Sequence, residues 1–140
     1  MKITSKDKES LKNEAIKALN NPYPKSSETV FAAAVLTKDG NIYSSAQYVS
    51  TTYSLTLHAE QSALAHAAAH GEGDIAAIAV TSSENKNSLT YPCHMCKQLL
   101  WENHLESKLP IQLICFNKSG KVEEYDIEET INLPWPSKEK

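Results

Sequence analysis

Two short motifs in the chain combine residue types that bind a metal ion and transfer protons. The first is His58-Ala59-Glu60, and the second is Pro92-Cys93-His94-Met95-Cys96. Imidazole nitrogen and thiolate sulfur are common Zn²⁺ ligands, and a catalytic zinc site takes three protein ligands and leaves a fourth position for water. One histidine and two cysteines therefore form a candidate zinc-binding set: His58, Cys93 and Cys96.

The spacing of the two cysteines suits a single ion. Proline is common at the start of a helix, so Pro92 predicts a helix from Cys93 to about residue 103. Cys93 and Cys96 then lie one turn apart on one face. Free amides at a helix N-terminus favour the thiolate form of a cysteine. A thioredoxin-like redox role for the cysteine pair would leave the first motif unexplained.

Glu60 lies two residues after the candidate histidine ligand, badly placed to bind the ion but within reach of a water beside it. Zinc lowers the pKa of such a water to roughly 7. A neighbouring carboxylate can carry the proton to a ring nitrogen and then to a leaving amine. His-x-Glu followed by Pro-Cys-x-x-Cys, with a glutamate that is not a ligand, is the signature of zinc deaminases. We therefore expect Glu60 to be the catalytic proton carrier.

Alternating strands and helices are expected to position these motifs. Apolar residues at helical spacing alternate along the chain with short apolar runs bounded by turn residues. The pattern predicts helices ending near Leu19 and covering 57–70 and about 93–103, and strands at 30–37, about 42–49, 75–81, 111–116 and 121–126. Strands that alternate with helices favour an α/β fold with helices on the faces of a mixed sheet. The length predicts one domain over residues 1–140.

Composition limits the classes of partner. The chain of 140 residues has a net charge of −3, and its 14 basic residues are all lysine. It therefore lacks the guanidinium group that grips phosphates bidentately, and it has no strongly basic character. No apolar run reaches the ~20 residues that a bilayer requires, and the first residues lack the apolar core of a signal peptide. We expect a cytoplasmic protein that binds neither nucleic acid nor a membrane.

Longer stretches around the two motifs resemble the cytidine deaminase family. The resemblance lies in TYSLTLHAEQSALAHA (52–67), YPCHMCKQLL (91–100), the hairpin AAAVLTKDGNIY (32–43) and the tail EETINLPW (128–135). It implies a three-layer α/β/α sandwich around a five-stranded mixed sheet. It also implies one zinc ion per chain and hydrolytic removal of an amino group from an aminopyrimidine nucleoside. The implied assembly is a homo-oligomer, a tetramer more than a dimer, with neighbouring subunits completing each site.

The same resemblance assigns roles to individual residues. The candidate ligands bind zinc, and Glu60 is the proton shuttle. The backbone amide of Ala59 is expected to hold the ring carbonyl oxygen of the substrate. The backbone carbonyl of Tyr91 is expected to accept its amino group.

The chain departs from the family at the sugar-binding positions. Counted back from His58, the family's sugar-binding Asn and Glu fall at Gln47 and Val49. Valine cannot hydrogen-bond a ribose hydroxyl, and glutamine does so only from a longer side chain. Two alternatives to a cytidine deaminase therefore stay open. One is a deaminase of another small aminopyrimidine compound, as in the blasticidin deaminases, and the other is a zinc-bearing scaffold without catalysis.

The remaining cysteine and a histidine pair have simpler interpretations. Cys115 lies in an apolar strand and is expected to be a small buried hydrophobic residue, which disfavours a structural zinc site with four protein ligands. His66 and His70 begin about 12 Å along the helix from His58, at ~1.5 Å per residue. They cannot share its ion, and we expect them to be surface or packing residues.

Overall fold

A computed structural model describes residues 1–84 and 87–138 of the chain. Every helix and strand predicted from the sequence is present, with shifted ends. In chain order the elements are α1 (Ser5–Ala18), β1 (Phe31–Thr37), β2 (Ile42–Ala46), α2 (Ala59–Ala69), β3 (Ile75–Ser82), α3 (His94–Ser107), β4 (Gln112–Phe116) and β5 (Val122–Asp126). Short 3-10 helices cover Tyr53–Leu55 and Ile127–Thr130.

The strands form one mixed sheet in the order β2-β1-β3-β4-β5. β3 and β4 are parallel, whereas the other neighbouring strands are antiparallel. Parallel neighbours need a long crossover connection, and α3 supplies it. The predicted five-stranded mixed sheet is confirmed.

The helices cover both faces of this sheet. The core consists of two hydrophobic clusters, one on each face of the sheet. Successive side chains of a strand point to opposite faces, so Ala34 and Leu36 of β1 pack in the cluster that contains Leu11 of α1. Their neighbours Ala33 and Val35 pack in the other cluster, with buried residues of α2 and α3. Burial on both faces explains why β1 and β3 are almost continuously apolar. The expected α/β/α sandwich is confirmed.

The connection from β2 to α2 differs from the prediction at both ends. β2 ends at Ala46 and not near residue 49, because the chain leaves β1 and the amide of Val49 donates to the carbonyl of Tyr23. α2 begins at Ala59 and not at Leu57, since the backbone of Leu57 is paired with that of Tyr48. This bridge fixes the backbone directly before the His-x-Glu motif.

The helix that carries the cysteines also has shifted bounds. Cys93 caps α3 and is not its first residue, and the helix continues to Ser107. Lys108 then adopts a left-handed conformation with φ of 62°, which ends the helix. None of the helices in the described part of the chain is long and apolar enough to cross a membrane.

Candidate metal centre and active site

The three predicted zinc ligands meet where two helices begin. His58 directly precedes α2, Cys93 directly precedes α3, and Cys96 lies in the first turn of α3. The Nδ1 atom of His58 lies 3.3 Å from the sulfur of Cys93 and 3.4 Å from the sulfur of Cys96. The two sulfur atoms are 3.6 Å apart. Residues separated by 35 positions in the chain thus converge on one point.

This donor set fits a zinc ion. Tetrahedral bonds of about 2.3 Å to sulfur and about 2.0–2.1 Å to nitrogen place two sulfurs about 3.8 Å apart and a sulfur about 3.6 Å from a nitrogen. The separations between the three ligand atoms are within a few tenths of an ångström of these values. Two thiolates and one imidazole can therefore hold a metal ion here, and three protein ligands leave a coordination position open.

Gln61 fixes the backbone of the histidine ligand. Its side-chain oxygen accepts a 2.7 Å hydrogen bond from the backbone N–H of His58. The bond has the geometry of one half of a capping box, in which the third helical residue reaches back to the residue before the helix. It holds His58 in the orientation that brings its ring to the sulfurs.

Glu60 is the buried acid beside these ligands. The residue is 8% exposed and lines the same cavity as His58 and Cys93. Burial raises the pKa of its carboxyl, and a hydrogen bond with the Cys96 thiol opposes part of that increase. Burial also raises the pKa of the Cys96 thiol. A bound metal would reverse that effect, because coordination deprotonates a thiol.

A cavity of about 320 Å³ opens onto this group. This volume is near the lower end of the range for small-molecule sites, about 300–1,000 Å³. The lining residues are Phe31, Gln47, Val49, Thr56, His58, Ala59, Glu60, Thr90, Tyr91 and Cys93. Glu60 is the only carboxylate and no lysine is present among these lining residues.

Ala59 and Tyr91, which the sequence predicts to bind the substrate, both line the cavity. Ala59 is the first residue of α2, and the first amides of a helix have no partner within it. Tyr91 lies in the connection before α3, and its hydroxyl donates a 2.7 Å hydrogen bond to Glu123 of β5. Glu123 raises the pKa of Tyr91 to about 12, mainly because its carboxylate accepts that hydrogen bond.

Comparison with known proteins identifies the family. The family model "cytidine and deoxycytidylate deaminase zinc-binding region" matches residues 5–109, which include both motifs. The chain belongs to this deaminase family. The deaminase is therefore a zinc-dependent hydrolase that acts on carbon–nitrogen bonds.

Several relatives of the deaminase are cytidine deaminases by name. One from Halalkalibacterium halodurans is 35% identical over 96 residues, which cover 69% of this chain and 71% of the relative. Another from Sporosarcina psychrophila is 30% identical over 125 residues, 89% and 88% of the two chains. A crystal structure of cytidine deaminase from Burkholderia pseudomallei has a TM-score of 0.79 at 26% identity and covers 91% of this chain and 98% of its own. These relatives do not favour the antibiotic-deaminase or inactive-scaffold alternatives.

At one of the two positions that the family resemblance assigned to sugar binding, the deaminase has a polar side chain whose hydrogen-bonding groups already have partners. Gln47 is 8% exposed. Its Oε1 accepts a 2.5 Å hydrogen bond from the amide of Phe31, and its Nε2 donates a 2.7 Å bond to the carbonyl of Thr29. Its position relative to His58 had suggested a longer substitute for a sugar-binding asparagine. The structure instead shows it tying the start of β1 to the end of β2.

The remaining candidates of the deaminase lie apart from the metal centre. Cys115 is fully buried in the core, as predicted, and burial raises its pKa to about 12. His66 and His70 pack against the ring of Tyr43 on the outer surface of α2. They are packing residues, as expected.

Sequence reasoning missed two supporting residues of the deaminase, Gln61 and Glu123. Gln61 occupies the third position of a helix, where capping-box residues are expected, but that rule is written for Ser or Thr before the helix and not for His58. Glu123 belongs to an acidic run and has no local signal. Only the pairing of β5 with β4 brings it to Tyr91.

Proposed function

We propose that this deaminase converts cytidine and deoxycytidine into uridine and deoxyuridine with release of ammonia. The observation that carries the proposal is the placement of the Glu60 carboxyl, buried in the cavity that His58 and Cys93 also line. The names of the relatives, cytidine deaminase, support this choice of substrate.

In this proposal, His58, Cys93 and Cys96 hold one zinc ion per chain. The ion supplies Lewis-acid chemistry, lowering the pKa of a water so that it can act as a nucleophile near pH 7. The protein contributes the rigid placement of the three ligands by two helix starts and by the hydrogen bond from His58 to Gln61.

Glu60 transfers the protons of the reaction. Its carboxylate takes a proton from the attacking water and delivers it to N3 of the ring as the oxygen bonds to C4. It then carries the second proton to the amino group, the C4–N bond breaks, and ammonia leaves. One water is consumed for each ammonia released, and the carboxylate returns to its starting state.

Ala59 and Tyr91 orient the ring. The backbone N–H of Ala59, unpaired within its helix, donates to the ring carbonyl oxygen. The backbone carbonyl of Tyr91 accepts a hydrogen bond from the exocyclic amine. The bond from the Tyr91 hydroxyl to Glu123 supports this placement by tying the loop to β5.

The lining of the cavity favours a nucleoside over a nucleotide. No lysine lies among the described lining residues, and one of them is the acid Glu60. A phosphate group would enter such a site without a cation to balance its charge, which is costly. A free nucleoside is therefore the proposed substrate, which places the enzyme in pyrimidine salvage. The proposal also takes residues 1–140 as one catalytic domain that acts in the cytoplasm. No nucleic acid or membrane takes part.

The enzyme is proposed to work as a homo-oligomer, with a tetramer favoured over a dimer. Apolar side chains are exposed near the cavity entrance in the connection from β2 to α2, where Tyr53 is 83% and Leu55 67% exposed. Tyr48 and Leu57 of the same connection are also exposed. Such a patch is typical of protein interaction sites. Light scattering coupled to gel filtration measures the state directly.

A substrate panel tests the proposed reaction. Zinc-loaded enzyme is incubated with cytidine, deoxycytidine, cytosine and deoxycytidylate, and ammonia release is followed enzymatically. We expect turnover of both nucleosides and little turnover of the nucleotide. Turnover of the nucleotide alone, or of none of the four, would contradict the proposal.

A further inference from the structure

The part of the cavity away from the metal centre has an unusual balance of groups for binding a sugar. Phe31, Gln47, Val49 and Thr56 line this region, which is built from the start of β1 and the connection between β2 and α2. Two of these side chains are apolar. The other two carry polar groups, and each already has partners within the protein.

The hydrogen bonds of Gln47 fix its carboxamide. Oε1 accepts from the backbone of Phe31 and Nε2 donates to the backbone of Thr29, at 2.5 and 2.7 Å. Turning the amide toward a ligand would break both bonds of a side chain whose residue is only 8% exposed, which is a costly exchange. Gln47 is thus a structural link between β1 and β2.

Thr56 is engaged in its own connection. Its hydroxyl oxygen accepts a 3.0 Å hydrogen bond from the backbone N–H of Ser50. This bond closes the turn between Ser50 and Thr56 that carries the exposed Tyr53. The remaining wall is formed by the ring of Phe31 and the methyl groups of Val49.

The geometry of the substrate directs its N1 substituent toward this wall. The reaction places C4 at Glu60, next to the metal ligands, and the exocyclic amine beside Tyr91. In a pyrimidine ring N1 lies opposite C4, so the N1 substituent points away from the metal centre. Phe31 and Val49 are among the lining residues that remain for this substituent.

We propose that the enzyme binds the N1 substituent through apolar contact with Phe31 and Val49, without pairing the 2′ and 3′ hydroxyls of the sugar. Its substrate class is then 4-amino-2-oxopyrimidines whose N1 substituent can be poor in hydroxyl groups. The inference rests on the proposed deaminase function and adds its specificity. Val49 is the specificity-determining residue, because its side chain has no hydrogen-bond acceptor. A side chain with an acceptor at this position would pair a sugar hydroxyl.

The test compares cytidine with 2′,3′-dideoxycytidine on the zinc-loaded wild-type enzyme. Each hydroxyl paired in the complex contributes roughly fivefold to kcat/KM, so pairing of both would contribute about tenfold or more. We expect the two kcat/KM values to differ by less than tenfold. The Kd values of uridine and 2′,3′-dideoxyuridine, measured by calorimetry, should differ by less than tenfold as well. A preference of tenfold or more for the hydroxylated nucleosides would overturn the inference.

A substitution then tests the position itself. Val49→Glu places a carboxylate acceptor on this wall and should raise the preference for cytidine about tenfold. Val49→Leu, which adds volume but no acceptor, should leave the preference unchanged. An unchanged preference in folded, zinc-loaded Val49→Glu protein would overturn the assignment of Val49.

The outcomes separate this inference from the function on which it rests. Ammonia from cytidine but not from 2′,3′-dideoxycytidine overturns the specificity and leaves the deaminase function standing. Ammonia from neither nucleoside overturns both. Ammonia from both at similar efficiency supports both.

Discussion

The side chain of Gln61 holds the backbone N–H of His58 at 2.7 Å, so the third residue of α2 orients the metal ligand that precedes the helix. Groups that orient a metal ligand without touching the metal commonly change its affinity by 10- to 100-fold. The same contact also pairs a backbone amide at the helix start. One hydrogen bond therefore links helix capping to metal binding.

Gln61→Ala should weaken zinc binding about tenfold, because His58 loses the bond that fixes its backbone. Competition with a chromogenic chelator measures the Kd. Gln61→Glu is the matched control, since its carboxylate can still accept the bond and should keep tight binding. Equal zinc affinity of Gln61→Ala and wild type would contradict this role.

Glu60→Gln should retain one zinc ion per chain and lose about 10³-fold or more in kcat. The amide has nearly the same shape but cannot accept and return protons. Metal analysis and ammonia release are measured on the same sample, which separates chemistry from metal loss. Substantial turnover in this variant would show that another group transfers the protons.

Cys93→Ala should lose zinc and melt earlier than the wild type. A metal present at 100 times its Kd stabilises the folded state by about 2.7 kcal/mol, which corresponds to roughly 5–10 °C for a domain of this size. Calorimetry with and without added zinc gives the shift. Cys115→Ala is the same substitution at a core cysteine away from the metal centre, and this variant should keep stoichiometric zinc. Retained zinc in Cys93→Ala would refute the ligand assignment.

Acid should remove the stabilising effect of Glu72. Hydrogen bonds from Tyr43, Asn41 and Thr37 lower the pKa of its carboxyl. A lowered folded-state pKa gives stability that is fully present above the unfolded pKa of about 4.3 and is lost as pH falls through the folded value. The Tm of wild type should therefore exceed that of Glu72→Gln at pH 6, and the difference should shrink below pH 4.

The control for this experiment is Glu106→Gln, which removes one negative charge from an exposed position on α3. It should not reproduce the Glu72→Gln loss of Tm at pH 6. A Tm difference between wild type and Glu72→Gln that grows toward low pH would contradict the assignment.

The local patterns that predicted the fold were those with a direct physical cause. The apolar runs of β1 and β3 predicted buried strands because both faces of the sheet are covered by helices. The motif spacing predicted the zinc ligands because a turn of helix brings Cys93 and Cys96 to one ion. The ends of β2 and α2 were mispredicted, since the pairing of Tyr48 with Leu57 is a contact between segments with no local signal.

The hydrogen-bond partners of Gln47 could not be predicted from the sequence. Its position relative to His58 suggested a sugar contact, whereas its partners are the backbones of Thr29 and Phe31. Which groups a buried amide meets depends on how two strands end side by side. Position in a motif therefore predicted that Gln47 lies at the cavity but not what it binds.

The metal centre joins His58 and Cys93, which are 35 residues apart in the chain. The residues between them include α2 and β3. An ion bound by His58, Cys93 and Cys96 holds the starts of α2 and α3 together in the folded state, so its binding free energy stabilises this part of the fold. The cluster that packs α1 lies on the opposite face of the sheet. Loss of the ion should therefore speed amide hydrogen exchange around the starts of α2 and α3. Exchange in the strand residues that pack against α1 should stay slow.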